Sequence, residues 1–208
     1  MSGVLITGFE PFGGDPRNPS GEIARLLDGR SIAGRRVVGV ELPCAFGRSR
    51  RRIETLLDAH RQELVVSIGL AANRAEITPE RVAINVSDAR IADNDGRRPV
   101  ERPVIRGGPA GYWSTLPVRA IVRSLNRAGF PAAISNTAGT YVCNHVFFAT
   151  MHVLRRRRTR AGFIHIPWPS DWAGKSRSTM TFAEMVRAVE LAVRVSLRGI
   201  RRARAPDR

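Results

Sequence analysis

Six short runs of apolar, largely β-branched residues, at positions 4–7, 37–42, 64–68, 81–86, 132–135 and 163–166, alternate with segments of helical spacing. No other feature constrains the fold as strongly, because strands that arrive singly between helices pair in parallel and are covered on both faces. Several runs are apolar throughout, as strands buried on two sides require. Between them Ile23, Leu26 and Leu27, then Ile53, Leu56 and Leu57, then Ile121, Val122 and Leu125 fall on helical faces. Near the end, Thr181 and Glu184 form a capping box ahead of a stripe of Met185, Val189, Val193 and Leu197. The chain therefore reads as α/β: a single-domain sandwich with a mainly parallel central sheet covered by helices on both faces. It spans residues 1–200, with 201–208 a basic, disordered tail.

With 43% hydrophobic and 25% charged residues, 208 residues can bury a core without disulfides. Two cysteines, Cys44 and Cys143, make no disulfide framework, and the opening MSGVLITG lacks the basic flank and length of a secretory signal. No apolar stretch reaches the length of a membrane span. A cytoplasmic protein with reduced thiols and no membrane partner is the expectation. The formal net charge of +16 raises the alternative of a basic polyanion-binding protein. Yet every basic residue except Lys175 is arginine, and the dense runs at 48–52, 155–160 and 201–208 lack the interleaved aromatics that stack on bases. They read as solvated faces, so nucleic acid is not an expected partner. Residues 87–113 are polar, dotted with Gly and Pro, and without period; a loop of that length is functional or mobile.

Cys143 stands in NTAGTYVCNHVFFAT (136–150), between a Gly/Thr-rich loop and an apolar helical run. Three roles are open to it: a small buried residue, a metal ligand, or a nucleophile. At a helix start, unpaired N–H groups and the positive dipole end lower a thiol pKa. Cys143, His145 and His152 match no common zinc spacing, so no metal is expected. A nucleophilic thiol needs a base, and the base an orienting group. His60 lies in a solvated basic helix, His152 far along the helix axis, and His145 on another side of the helix. His165 ends a strand at the carboxyl edge of a parallel sheet, where ligands bind, although a structural role there is equally open. Glu76, Glu80, Asp88, Asp93 and Asp95 are the acidic candidates, among which the residues alone do not choose. The first strand runs into GFEPFGGDPRNPSGE (8–22), which lacks a phosphate-loop ending. Phe9 and Phe12 look exposed and suit an apolar pocket, or else cap the core; Asn18 offers an amide that could recognise another amide.

Five collinear segments resemble the pyroglutamyl peptidase I family of cysteine peptidases: GFEPFGG…NPSGE, ELPCAFGRS (41–49), ITPERVAINVSDARIADNDG (77–96), SNTAGTYVCNH (135–145) and GFIHIPWP (162–169). The resemblance covers most of residues 3–169 and implies hydrolysis of N-terminal pyroglutamate from peptides through a thioester. By motif, it puts the nucleophile at Cys143, the base at His165 and the acidic partner at Glu80. Phe9 and Phe12 would sandwich the pyrrolidone ring, Asn18 would read its lactam, and Arg90 with the Cys143 N–H would face the oxyanion. It further implies a compact α/β sandwich, a homo-oligomer (dimer or tetramer), and neither metal nor organic cofactor. His145 becomes structural, and Cys44 is expected off the site. Two departures leave room for a related cysteine amidohydrolase with altered specificity. Leu70, in Gly69-Leu70-Ala71-Ala72-Asn73-Arg74, replaces the family's usual glutamine near the expected pocket, and Tyr141 replaces a common phenylalanine.

Overall fold

The structure, a computed structural model, describes residues 3–59, 61–173 and 177–200. His60 and the tail 201–208 lie outside the described residues. Strand β1 (Gly3–Phe9) is central, flanked in parallel by β3 (Arg35–Leu42) and β4 (Gln62–Leu70), and β4 pairs in parallel with β8 (Arg160–Ile166). The two-residue strands β2 (Ser31–Ile32) and β5 (Thr78–Pro79) add antiparallel edges, giving the order β2-β3-β1-β4-β8-β5. Helices α1 (Pro19–Leu27), α2 (Phe46–Ala59), α3 (Val118–Arg127), α4 (Val142–Leu154) and α5 (Phe182–Leu197) complete the layers.

Strand alternation divides the core in two. Val4, Ile6, Leu64, Val66, Ile68, Ile164 and Ile166 join Ile23 and Leu27 of α1, Ile121 and Leu125 of α3, and the Met185, Val189, Val193 and Leu197 stripe of α5. On the other face Leu5, Val65, Ala161 and Phe163 meet Ile53, Leu56 and Leu57 of α2 and Val142, Val146 and Phe147 of α4. Each Val, Leu, Ile, Phe or Met side chain among them, fully buried, contributes about 1.5–3 kcal/mol of transfer free energy. The capping box starts α5 as expected: the Thr181 hydroxyl accepts from the Glu184 N–H, and the Glu184 carboxylate accepts from the Thr181 N–H.

Three expectations need correction. Residues 132–135 form no strand, only isolated bridges between Ile77 and Ala132 and between Glu80 and Ser135. The Asn126 amide takes both the N–H (2.8 Å) and the carbonyl (2.9 Å) of Ala132, satisfying groups that a ladder would otherwise pair. The run at 81–86 contracts to β6 (Val82–Ile84), which pairs with β7 (Gly111–Trp113) in a separate two-stranded sheet. Leu26 is 44% exposed, because α1 buries the stripe of Ile23, Ala24 and Leu27 instead.

The segment 87–113 is tied down by the buried Asp93 and the half-buried Asn85. Asp93 accepts from the N–H groups of Asp95 and Arg97 through one oxygen and from Phe46, the first residue of α2, through the other. Asn85 accepts from the Ile105 N–H and donates to the carbonyls of Ile105 and Gly108.

Candidate active site

The site grows from the face of the sheet on which α4 lies. Phe163 points to that face, and two residues on so does His165, whose ring sits 4.8 Å from that of Phe163. On the neighbouring parallel strand the register partner of His165 is Gly69. Register partners share a face, and the missing side chain of Gly69 leaves a recess beside the imidazole. Cys143 fills it: a Cβ built on Gly69 would lie 2.8 Å from the Cys143 sulfur and 2.7 Å from the Phe163 ring. Nucleophile candidate and imidazole are thus brought to one spot by an absent side chain.

Glu80 arrives from the other edge. Strand β5 pairs antiparallel with β8, setting Thr78 opposite His165, and the chain then continues with the Glu80 N–H donating to the Phe163 carbonyl (2.9 Å). The fully buried Glu80 carboxylate meets His165 Nδ1 at 2.7 Å through Oε1. Against an acceptor-only carboxylate the ring proton belongs on Nδ1, which leaves Nε2 as the basic nitrogen. Burial lowers the His165 pKa, opposed by the Glu80 contact, so the resting imidazole is neutral at pH 7. Of the five acidic candidates, it is Glu80 that makes this contact.

Cys143 is the second residue of α4. Tyr141, at the N-cap, offers no side-chain hydrogen bond to the helix, so the first N–H groups of α4 are not taken by a cap. Gly139, at φ +76°, allows the turn that leads in. The expected lowering of the thiol pKa is not what this setting produces. Burial pushes the thiol up, Cys44 and Glu80 push the same way, and Arg74 and the Cys143 N–H oppose them only in part. The resting pair is therefore thiol and imidazole.

Cys44, expected off the site, stands beside it. It is buried in the core cluster that Tyr141 and Cys143 join, near enough to push the Cys143 thiol up. Burial first, then the Glu10 carboxylate, drives its thiol up to about 12; both thiols are raised, and what distinguishes Cys143 is its seat at Gly69, the register partner of His165. His145 is structural in this arrangement: buried, 2.9 Å from the Ser87 hydroxyl through Nδ1, and edge-on to Phe46. His152 is bonded to Tyr112 instead.

The remaining expected residues divide. Tyr141 donates from its hydroxyl to the Ala92 carbonyl (3.1 Å), and its ring lies 6.1 Å from that of the half-buried Phe12. The Thr140 hydroxyl donates to the Asp88 carbonyl, while the Asp88 N–H donates to the Thr140 carbonyl. This double staple fixes Arg90 near the start of α4, exposed and without a hydrogen bond or ion pair to any other described residue. Phe9 departs from expectation. At 2% exposure it is core, packed on Phe163, because its position on β1 shares the buried face of Leu5. Asn18 caps α1: its carbonyl oxygen accepts from the Ser20 N–H and hydroxyl, and its amide donates to the Glu10 carbonyl. One N–H of that amide is left over, so its main work is to shape the loop after β1. Leu70 is paired with Ile166 and, one residue past Gly69, points to the opposite face from Cys143. Sequence reasoning missed Gly69 and Arg74, both inside the segment 69–74; their spacing to Glu80 carried no signal of contact.

Among the described residues no cluster of three or more His, Cys, Asp or Glu is arranged to hold a metal ion, and no helix is long and apolar enough to cross a membrane.

Residues 2–199 match the family model described as pyroglutamyl peptidase. The pyrrolidone-carboxylate peptidase of Erwinia tasmaniensis is 48% identical over 199 residues, covering 95% of this chain and 93% of that protein. Two solved structures superpose closely. The pyrrolidone carboxyl peptidase from Thermococcus litoralis gives a TM-score of 0.90 at 43% identity, covering 95% of this chain and 94% of its own. The pyroglutamyl peptidase I from Bacillus amyloliquefaciens gives 0.91 at 38% identity, covering 96% and 97%.

Proposed function

The chain belongs to the pyroglutamyl peptidase family, and on that premise we propose that Cys143 is its nucleophile, His165 its general acid–base and Glu80 the carboxylate that orients the imidazole. Its activity is hydrolysis of the N-terminal pyroglutamyl group from peptides. The observation that carries the assignment is the junction of Gly69, His165, Cys143 and Glu80: a sulfur seated in the recess of Gly69, beside an imidazole held by a buried carboxylate.

The Cys143 sulfur attacks the pyroglutamyl carbonyl carbon as His165 Nε2 takes the thiol proton. Charge that develops on the carbonyl oxygen meets the Cys143 N–H at the uncapped start of α4, with the Arg90 guanidinium as second donor. Donors placed in this way contribute on the order of 3 kcal/mol each. His165 then gives its proton to the departing amine, the C–N bond breaks, and a thioester remains. Water, deprotonated by His165, attacks the thioester and releases pyroglutamate and the thiol. Glu80 keeps the ring in the productive tautomer and stabilises the imidazolium formed between the steps. Pyroglutamate is a neutral lactam, whereas an ordinary N-terminus carries an ammonium. A wall that includes Phe12 and Tyr141 accepts the first and imposes a desolvation penalty on the second.

The proposal extends to a cytoplasmic location and to a homo-oligomer, dimer or tetramer. Both cysteines are free, as a thiol enzyme in a reducing compartment requires, and Trp113 (70% exposed) and Val100 (63%) offer apolar surface to a second copy. A purely monomeric sedimentation profile would overturn the oligomer. The catalytic assignment is tested with a pyroglutamyl-arylamide. Turnover by the native chain, abolished by a thiol alkylator and by Cys143→Ala, is the expected outcome; undiminished turnover by Cys143→Ala sinks it.

A further inference from the structure

Arg74 has no part in the chemistry above, yet it touches three walls of the site. It lies in the turn that leaves β4, its N–H donating to the Ala71 carbonyl (2.9 Å), while the Ala71 N–H donates to the Ile166 carbonyl at the end of β8. One guanidinium nitrogen, Nη1, donates to Glu80 Oε1 at 2.7 Å and also to the Thr78 hydroxyl. The other, Nη2, donates to the Thr137 carbonyl at 3.2 Å. Thr137 belongs to the segment that runs from the Ser135 bridge to the start of α4, where Cys143 sits. A single side chain therefore spans the acidic strand, its carboxylate and the loop that delivers the thiol.

Sharing of one oxygen is the informative detail. Glu80 Oε1 accepts both His165 Nδ1 and Arg74 Nη1, each at 2.7 Å, while Oε2 is buried without a partner. A carboxylate held by His165 alone could rotate to offer either oxygen. With Arg74 anchored on Thr78 and Thr137, Oε1 is the oxygen fixed on the line of the imidazole N–H. Removing one partner of a buried carboxylate leaves charge uncompensated, and bonds of this charge-assisted kind are the strong ones.

We propose that Arg74 is a positioning residue for the reaction: it locks the Glu80 oxygen that orients His165, and by its second arm fixes that carboxylate relative to the Cys143 loop. The inference rests on the roles proposed above for Glu80 and His165. Its electrostatic consequence has one sign at both reacting groups. His165 is faced by Glu80, which raises its pKa, and by Arg74, which lowers it. Cys143 is faced by Glu80 and Cys44, which raise it, and by Arg74, which lowers it. Loss of the cation moves both groups upward together, so the whole bell of kcat/KM against pH moves to higher pH.

The test is a cycle of Arg74→Met, Arg74→Lys, Glu80→Gln and the double variant Arg74→Met/Glu80→Gln, assayed on a pyroglutamyl-arylamide across pH. His165 is titrated in the same proteins by NMR. Arg74→Met is expected to lower kcat about 10- to 100-fold, the range for a lost charged hydrogen bond, with KM little changed, since Arg74 is not assigned to the pocket. Both limbs of the bell and the NMR titration of His165 are expected to shift upward. Arg74→Lys restores the position of the bell but only part of kcat, because an ammonium keeps the charge and not the two-armed geometry. In the Glu80→Gln background, Arg74→Met is expected to cost much less. Full activity in Glu80→Gln would overturn the underlying assignment of Glu80. A large loss in Glu80→Gln, combined with an unmoved bell and unmoved His165 titration in Arg74→Met, or with fully multiplicative losses in the double variant, would overturn the role of Arg74. If Arg74→Met does not fold, Arg74→Lys decides by the same readouts: a native bell with reduced kcat supports the role, and native kcat overturns it.

Discussion

Gly69→Ala probes the packing that seats the Cys143 sulfur, without replacing Cys143, His165 or Glu80. The added methyl would lie 2.8 Å from the Cys143 sulfur and 2.7 Å from the Phe163 ring carbon, against 3.4 Å at the near edge of ordinary contact. The sulfur must therefore retreat by about 0.6 Å or α4 must lift, while Phe163, buried beneath Phe9 and Phe147, has little room to yield. Overpacking of this kind typically destabilises by about 1–3 kcal/mol, which in a chain this size lowers Tm by roughly 2–4 °C for each kcal/mol. The functional effect is the larger one. A misplacement of about 1 Å at reacting atoms is worth about 100-fold, so a fraction of that predicts a loss of roughly tenfold or more in kcat. Steady-state kinetics on a pyroglutamyl-arylamide, with the rate of Cys143 alkylation and a thermal melt on the same sample, measure all three quantities. Native kcat together with native Tm would mean that the recess beside His165 is not where the sulfur must sit.

Further outcomes follow from individual groups. Arg90 is exposed and makes no bond in the fold, so Arg90→Ala should leave stability within about 0.5 kcal/mol while reducing kcat on the order of 100-fold or more; a change in KM alone argues against an oxyanion role. Burial lowers the His165 pKa below the usual 6.5, and the base must be neutral to act. The acid limb of kcat/KM is accordingly expected below pH 6.5, and a limb above that value contradicts the neutral resting pair. His145 is depressed from 6.5 to about 4, chiefly by burial. As pH falls through that window the unfolded chain takes up a proton that the folded chain refuses, so stability present above 6.5 is lost, by about 3 kcal/mol, on reaching 4. Urea melts at both ends of the window should show a smaller loss in His145→Gln. Asp93→Ala removes acceptors for three N–H groups, among them the start of α2, and should lower stability by about 2–3 kcal/mol in a thermal or urea melt.

What could be read from the sequence was what is local. Thr181, Glu184 and the stripe behind them are decided within one turn of helix, and they form α5 as read. The β–α alternation also sufficed for the parallel core of β3, β1, β4 and β8. Read from the residues alone, Glu80 is one of five carboxylates, and only the family resemblance singles it out, because 85 residues separate it from His165 and only the register of β5 on β8 joins them. Arg74 was hidden among many arginines for the same reason. Phe9 looked exposed in a Gly-rich loop, but the strand extends to include it, and the parity of that strand turns it inward. The apolar run 132–135 carried a strand signal that Asn126, from the preceding helix, answers with its own amide. The thiol pKa was misjudged because helix position is visible in sequence, while burial and the neighbours Cys44 and Glu80 are not.

On the proposed assignment Cys143 forms a covalent acyl-enzyme in the reaction, with His165 and Glu80 serving it. Acid quench of the enzyme during turnover of a pyroglutamyl-arylamide, followed by peptide mass spectrometry, tests it most directly. The expected result is one pyroglutamyl group on the peptide that contains Cys143, present in the native chain, absent in Cys143→Ala, and accumulating far more slowly in His165→Ala. Product formation with no adduct at any time, or an adduct on Cys44 in place of Cys143, would contradict it.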